Sequence, residues 1–245
     1  ALPHVVGVTP QVVDELAFDA AYFGRADVVD LLVAHSARPA HTAQRALHAA
    51  SANGYAGLLP ALVAAGADVD GVDPGGDVAL HLTVRDSFED RGEVIAALIE
   101  LGADPARRDP KGATPLEVAL DARNDRNAEA LLAGGADPDE PLTTGDRPLE
   151  YALDEYAWGL ATILVDAGAD VHRRMIRDAV FQDSWSRPPP DLFRALVDHE
   201  DRAGPAFYRG QARWARFPAP PDEDVASREG AATHPRAPRA RDRER

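Results

Sequence analysis

LVAAGADVD at Leu62–Asp70, LIELGADPA at Leu98–Ala106, LLAGGADPD at Leu131–Asp139 and LVDAGADVH at Leu164–His172 are four copies of one phrase. Their glycines, Gly66, Gly102, Gly135 and Gly168, stand 36, 33 and 33 residues apart. A fixed period of about 20 to 50 residues indicates stacked repeats, not one closed core. Such stacks make surfaces for partners, and the repeat itself does not spell out which partner.

Working outward from the phrase, each copy has two halves. The second half of the copies carries apolar side chains at three- and four-residue spacing: Val28, Leu31 and Leu32, where Ser36 stands in for the glycine; Leu58 and Leu62; Val94 and Leu98; Leu160, Ile163 and Leu164. That spacing predicts an amphipathic helix. The glycine ends it, because the residue after a helix often takes positive φ. Upstream lie GGDVALHLTV (Gly75–Val84), KGATPLEVAL (Lys111–Leu120) and TGDRPLEYAL (Thr144–Leu153), each a turn followed by a shorter helical stretch. In the second of these, Thr114 is placed to cap a helix and Pro115 to occupy its first position.

A helix–turn–helix of this length, with G-x-T-P-L before it and L-L-x-x-G-A-D after it, resembles the ankyrin repeat. The closest copy runs from Asp109 to Asp137. His48 and His81 match the histidine of the T-P-L-H phrase, and Glu117 and Glu150 replace it. The resemblance implies that this histidine is structural, bonding near the turn. It covers roughly Thr9 to Glu200 and implies an all-α solenoid of stacked helix–turn–helix repeats with hairpin-like linkers. The expected organisation is an array over residues 1–200 of about six copies, the first (Phe18–Ala37) and last degenerate. The last would use Met175–Trp185 and Asp191–Asp198. Residues 201–217 would be a C-terminal capping extension and 218–245 a disordered charged tail. The chain also departs from the pattern. The third copy carries about three extra residues in RDSFEDRGE (Arg85–Glu93), Tyr156 stands where the family has an inter-helix glycine, and the linker ARPAHTAQ (Ala37–Gln44) has lost the hairpin.

Charge limits the partners. The chain carries −15 overall, but residues 201–245 hold ten arginines against seven acids, so the repeat body carries −18. A body of that sign repels phosphate backbones and anionic membranes and favours a basic protein surface. No cysteine is present, which fits a reducing, cytoplasmic setting. No apolar run reaches membrane-spanning length and the first residues lack a secretory layout. Lys111 is the only lysine among 26 basic residues, a bias that suggests a GC-rich bacterial source. The tail, rich in Pro, Ala and charge, cannot bury enough apolar surface to offset its ordering entropy.

Catalytic patterns are missing from the text. The remaining histidines form no metal-ligand pair, and DVDGVD at Asp68–Asp73 lacks the glutamate that a calcium loop needs at its twelfth position. No phosphate loop or nucleophile elbow occurs. Hairpin carboxylates read as solvated charge. No cofactor or metal is expected, and the chain is expected to be a monomer.

The resemblance implies that partners meet a concave groove made by the exposed face of the first helices and the hairpin tips. Aromatic and arginine side chains anchor most interfaces. The candidate partner-binding residues are therefore Tyr22, Phe23, Arg85, Tyr151 and Glu155 on first helices, with Arg107 and Arg108 on a tip. The expected function is a non-catalytic protein–protein interaction module. A narrower alternative is an inhibitor or immunity-type protein that masks a basic-cleft enzyme, and an enzyme of unknown class is third.

Overall fold

The computed structural model describes residues 9–85, 90–172 and 188–202. Eleven α-helices and no strand occur among the described residues. They are α1 (Pro10–Tyr22), α2 (Ala26–His35), α3 (Pro39–Asn53), α4 (Leu59–Ala64, entered through a 3-10 turn at Ala56–Leu58) and α5 (Ala79–Arg85). Then follow α6 (Gly92–Glu100), α7 (Pro115–Asp121), α8 (Asp125–Ala133), α9 (Pro148–Asp154), α10 (Trp158–Asp166) and α11 (Pro190–Arg202). Residues 86–89 of the insertion, Met175–Trp185 of the last copy, and the extension and tail from 203 onward lie outside the described residues.

The helices form consecutive antiparallel pairs. The first members, α1, α3, α5, α7 and α9, pack side by side as an inner row, and α4, α6, α8 and α10 make the outer row. Between the rows runs a continuous seam of apolar side chains. Leu47, Leu80, Leu116 and Leu149 enter it from the inner row, and Leu62, Leu98, Leu131 and Leu164 from the outer, none more than 2 % exposed. Each pair is covered only by its neighbours, as a solenoid requires.

Local chemistry sets the helix ends as read from the sequence. Thr114 Oγ1 accepts from the Glu117 amide at 3.2 Å and Pro115 opens α7. At the other end of the pairs Gly102 and Gly135 take φ of 99° and 95°. Their neighbours close the turn, Ala103 N bonding to Leu98 O and Ala136 N to Leu131 O, both at 3.0 Å. Between the two helices of a pair the chain again needs positive φ. Gly24 and Gly54 supply it freely, but Arg123 and Tyr156 adopt 53° and 56° at the equivalent position. For a bulky side chain that conformation is strained.

The hairpin-like linkers are tight turns without strand pairing. Asp73 N bonds to Asp77 O at 2.8 Å, Asp109 N to Ala113 O at 2.9 Å and Leu142 N to Asp146 O at 2.9 Å. Carboxylates read as solvated charge turn out to hold this backbone. Asp73 Oδ1 accepts from the amides of Gly75 and Asp77, and Asp109 Oδ1 from those of Lys111 and Ala113. Others link one repeat to the next. The Asp104 amide donates to Asp70 Oδ1 at 3.1 Å, and the Asp170 amide to both oxygens of Asp139 at 3.0 Å. In the second repeat Gln44 fills that role, its Oε1 accepting from Asp68 N at 2.7 Å and its Nε2 donating to Asp68 O at 3.0 Å.

The linker ARPAHTAQ, which lacks the hairpin pattern in sequence, forms no such turn. Pro39 begins α3, so most of the segment is helix. A buried side-chain network replaces the missing turn. Asp14, 1 % exposed, accepts from Thr42 Oγ1 at 2.6 Å and from the Arg38 guanidinium at 2.5 Å. Ser36 Oγ lies 2.6 Å from Thr42 Oγ1 and completes the link between the first two repeats.

Candidate functional site

The inner row positions two kinds of side chain. One set points forward to the next turn. His48 Nε2 donates to Gly71 O at 2.8 Å and His81 Nε2 to Ala113 O at 3.1 Å. Glu117, in the same place, instead accepts from the Thr143 amide at 2.9 Å and from its hydroxyl. These groups are structural: each fastens one repeat to the turn of the next. Burial pushes the His81 imidazole below its ordinary value, the Ala113 bond opposing this only in part.

The other set faces outward. One residue beyond the His/Glu position the inner helices carry Ala49, Leu82, Val118 and Tyr151, the last three half-buried. Four residues beyond it stand Tyr22, Ala52, Arg85, Asp121 and Asp154. The face therefore has an apolar midline with a changing edge: aromatic at α1, cationic at α5, acidic at α7 and α9.

At the α1 end Tyr22 and Phe23 are 46 % and 68 % exposed. Their rings meet edge to face with centroids 5.1 Å apart, and Tyr22 stacks on Phe18 at 6.5 Å. The Arg45 guanidinium lies 5.7 Å from the Phe18 ring centre. Phe18 and Arg45 escaped the sequence reading, although Phe18 occupies the histidine position, where a different residue type was the signal.

Arg85 is held rather than free. It bonds Asp77 through both terminal nitrogens, one at 2.7 Å, and lies 3.8 Å from Asp109. Both acids are under 9 % exposed, so Arg85 neutralises two buried carboxylates at successive turns. The Asp77 bond, ahead of every other influence, holds the guanidinium above its ordinary pKa.

At the α9 end the Tyr151 hydroxyl donates to Asp121 at 2.9 Å. Burial first, and the Asp121 bond next, push its pKa up to about 12. Glu155 pairs with Arg123 at 2.8 Å, and Arg123 also donates to the Glu155 carbonyl at 3.0 Å. On the tip, Arg108 donates to Gly112 O at 2.7 Å, to Pro141 O at 3.2 Å and to Glu140. Arg107 is exposed. Of the candidates, Tyr22, Phe23 and Arg107 face solvent, while Arg85, Arg108, Tyr151 and Glu155 also tie one repeat to another.

This geometry of paired helices and tight, side-chain-braced turns agrees with the family comparison. A model described as ankyrin repeats (3 copies) matches residues 16–109 and again 47–141, together just over half of the chain. The chain belongs to the ankyrin repeat family. No curated protein matches it. Ankyrin repeats are in general modules for protein–protein interaction and are typically non-catalytic. Among the described residues of this ankyrin array no group of three His, Cys, Asp or Glu could hold a metal. No described helix is long and apolar enough to cross a membrane.

Proposed function

We propose that the inner-helix face of this ankyrin array binds a partner protein with a basic surface, by recognition and without catalysis, in a cytoplasmic setting. The carrying observation is the edge of that face, with the exposed Tyr22–Phe23 pair at one end and Asp121, Asp154 and Glu155 at the other. Aromatic rings give large contact area with little side-chain entropy to lose, and desolvated aromatics are frequent hot spots. The acids, within a body of −18, steer a cationic partner and mainly raise its association rate. Arg107 and Arg108 flank the face from the tip, and Arg85 orders its centre. Masking of a basic enzyme cleft is a special case of this reading, favoured by the same acidic edge. It requires that the captured partner lose activity on binding.

The test is capture of the partner from the native host, then surface plasmon resonance at two ionic strengths. Tyr22→Ala with Phe23→Ala should weaken binding by about tenfold or more, roughly 1.4 kcal/mol, with the helical spectrum unchanged. Tyr151→Phe keeps the ring and removes only the Asp121 bond, so it should bind nearly as the wild type does. Higher salt should slow association far more than it speeds dissociation. Wild-type affinity in the double variant would remove the inner face from the reading.

A further inference from the structure

Helix α1 carries one pairing twice, an acid with an aromatic residue four positions on: Asp14 with Phe18, and Asp19 with Phe23. The first pairing meets α3 and is filled by arginine. Arg38 donates to Asp14 at 2.5 Å, and the Arg45 guanidinium lies 5.7 Å from the Phe18 ring centre. The second pairing starts five residues later, which turns it about 140° around the helix. Asp19, Tyr22 and Phe23 share that side, as residues three and four apart on a helix do, and all three are exposed. The rings of Tyr22 and Phe23 meet at 80° and form an open corner. Among the described residues no donor meets the Asp19 carboxylate. Asp121 and Glu155, at the far edge of the same face, differ: each already accepts a bond from its own chain. Arg25, a near neighbour in sequence, is engaged by Asp27 at 3.5 Å. The chain thus fills one copy of the pairing with its own arginines and leaves the other open to solvent.

The geometry points to this corner as the seat of an arginine side chain of the partner protein, its guanidinium stacked on Tyr22 or Phe23 and bonded to Asp19. This rests on the reading of the inner-helix face as the site of a basic partner, and deepens it. Charge disfavours the other occupants. An apolar side chain would strip water from Asp19 and give it no bond in return. An anion would meet that carboxylate, the exposed Glu15 one turn before it, and a body of −18. A cation answers both features at once, since ring faces attract it within about 6 Å of their centres. Arginine answers them better than lysine. Its planar, weakly hydrated guanidinium lies flat on a ring and keeps a fork of N–H donors for the carboxylate. The rings therefore select for charge as well as for area.

A capped Gly-Gly-Arg-Gly-Gly peptide, titrated into the full chain while amide shifts are followed by NMR, tests the site directly. Shifts should appear at Asp19, Tyr22 and Phe23, weaker with lysine in place of arginine. Citrulline, which keeps the shape without the charge, should give none. Asp19→Asn, an isosteric change at an exposed position, should abolish the arginine response. Against the captured partner, Asp19→Asn should raise Kd about tenfold. Tyr22→Leu with Phe23→Leu keeps apolar area without a ring face, and should weaken binding as much as the alanine pair does. Equal responses to arginine and citrulline, or no response in α1, would overturn the inference. So would leucine variants that bind as the wild type does while the alanine pair does not; that result leaves the inner-face reading standing on apolar contact. Wild-type affinity in the alanine pair, by contrast, removes the inner face and this site with it.

Discussion

The first two repeats and the middle ones solve the same joining problem with different materials. From α5 to α10 the inner helices are seven residues long, and a closed turn precedes each of α5, α7 and α9. Those joints are made of backbone, braced by carboxylates: Asp73 and Asp109 each accept two amides, and Glu117 accepts the Thr143 amide and hydroxyl. Between α1 and α3 no such turn exists, the inner helices run to 13 and 15 residues, and one buried carboxylate joins them. A joint spread over many backbone bonds tolerates the loss of any one. A joint concentrated in Asp14 does not.

That contrast breaks most directly at Asp14. Replacing it with alanine leaves Thr42 Oγ1 only Ser36 Oγ and the Arg38 carbonyl as partners, releases the Arg38 guanidinium and removes the link from α1 to α3. Losing charge-assisted bonds from a buried group costs about 2–4 kcal/mol. Because stability in a solenoid is nearly a sum over neighbouring units, the loss should stay local. Urea unfolding of Asp14→Ala should show the destabilisation, and native-state hydrogen exchange should place it in α1–α3 while α7–α10 keep wild-type protection. Uniform loss of protection along the array would mean that the two regions are joined more tightly than the bonding suggests.

A smaller effect is expected at Gly135. Nothing lies within 4 Å of where its Cβ would stand, so Gly135→Ala should cost only the positive-φ penalty, about 1 kcal/mol. Gly24 also has positive φ, 68°, but there the added Cβ would overlap the Tyr55 ring. Gly24→Ala should therefore lower the melting temperature more than Gly135→Ala does. Equal losses by circular dichroism would show that the ring gives way freely and that backbone strain alone counts in both regions.

These two glycines also show why the fold was legible. Periodic glycine and periodic leucine encode backbone conformation and burial, and both are decided locally, so the period alone yields the stack. The T-P-L-E phrase that opens α7 likewise carries its own cap. The joint at Asp14 was not legible, because Asp14, Arg38 and Thr42 meet only after α1 and α3 pack, and no period marks them. The candidate surface was legible in position but not in state. The sequence locates Arg85 and Tyr151 on the inner row. It does not reveal that Asp77 and Asp109 hold the first, or that Asp121 accepts from the second, since those partners come from other segments. The 48 % exposure of Leu16 in α1 was hidden for a further reason: an apolar residue at helical spacing reads as core whether or not a neighbour covers it.

The smallest expected effect sharpens the comparison within the middle repeats themselves, where His81 and Glu117 do the same job with different chemistry. His81 is fully buried, donates through Nε2 to Ala113, and leaves Nδ1 without a hydrogen-bond partner among the described residues. Protonating Nδ1 would place a charge there with nothing to accept the new N–H, which agrees with the lowered pKa. The unfolded chain takes up that proton as pH falls through about 6.5, whereas the folded chain resists until a lower pH. The contribution is therefore complete above about pH 6.5 and is lost as pH falls from there through the folded value. His81→Gln keeps a donor for Ala113 and cannot titrate. Melting temperatures from pH 8 to pH 5 should fall more steeply in the wild type than in His81→Gln, once both are referred to their values at pH 8. Parallel profiles would mean that the imidazole is protonated as readily in the folded chain as in the unfolded one, and the burial of His81 would then have no linkage to pH.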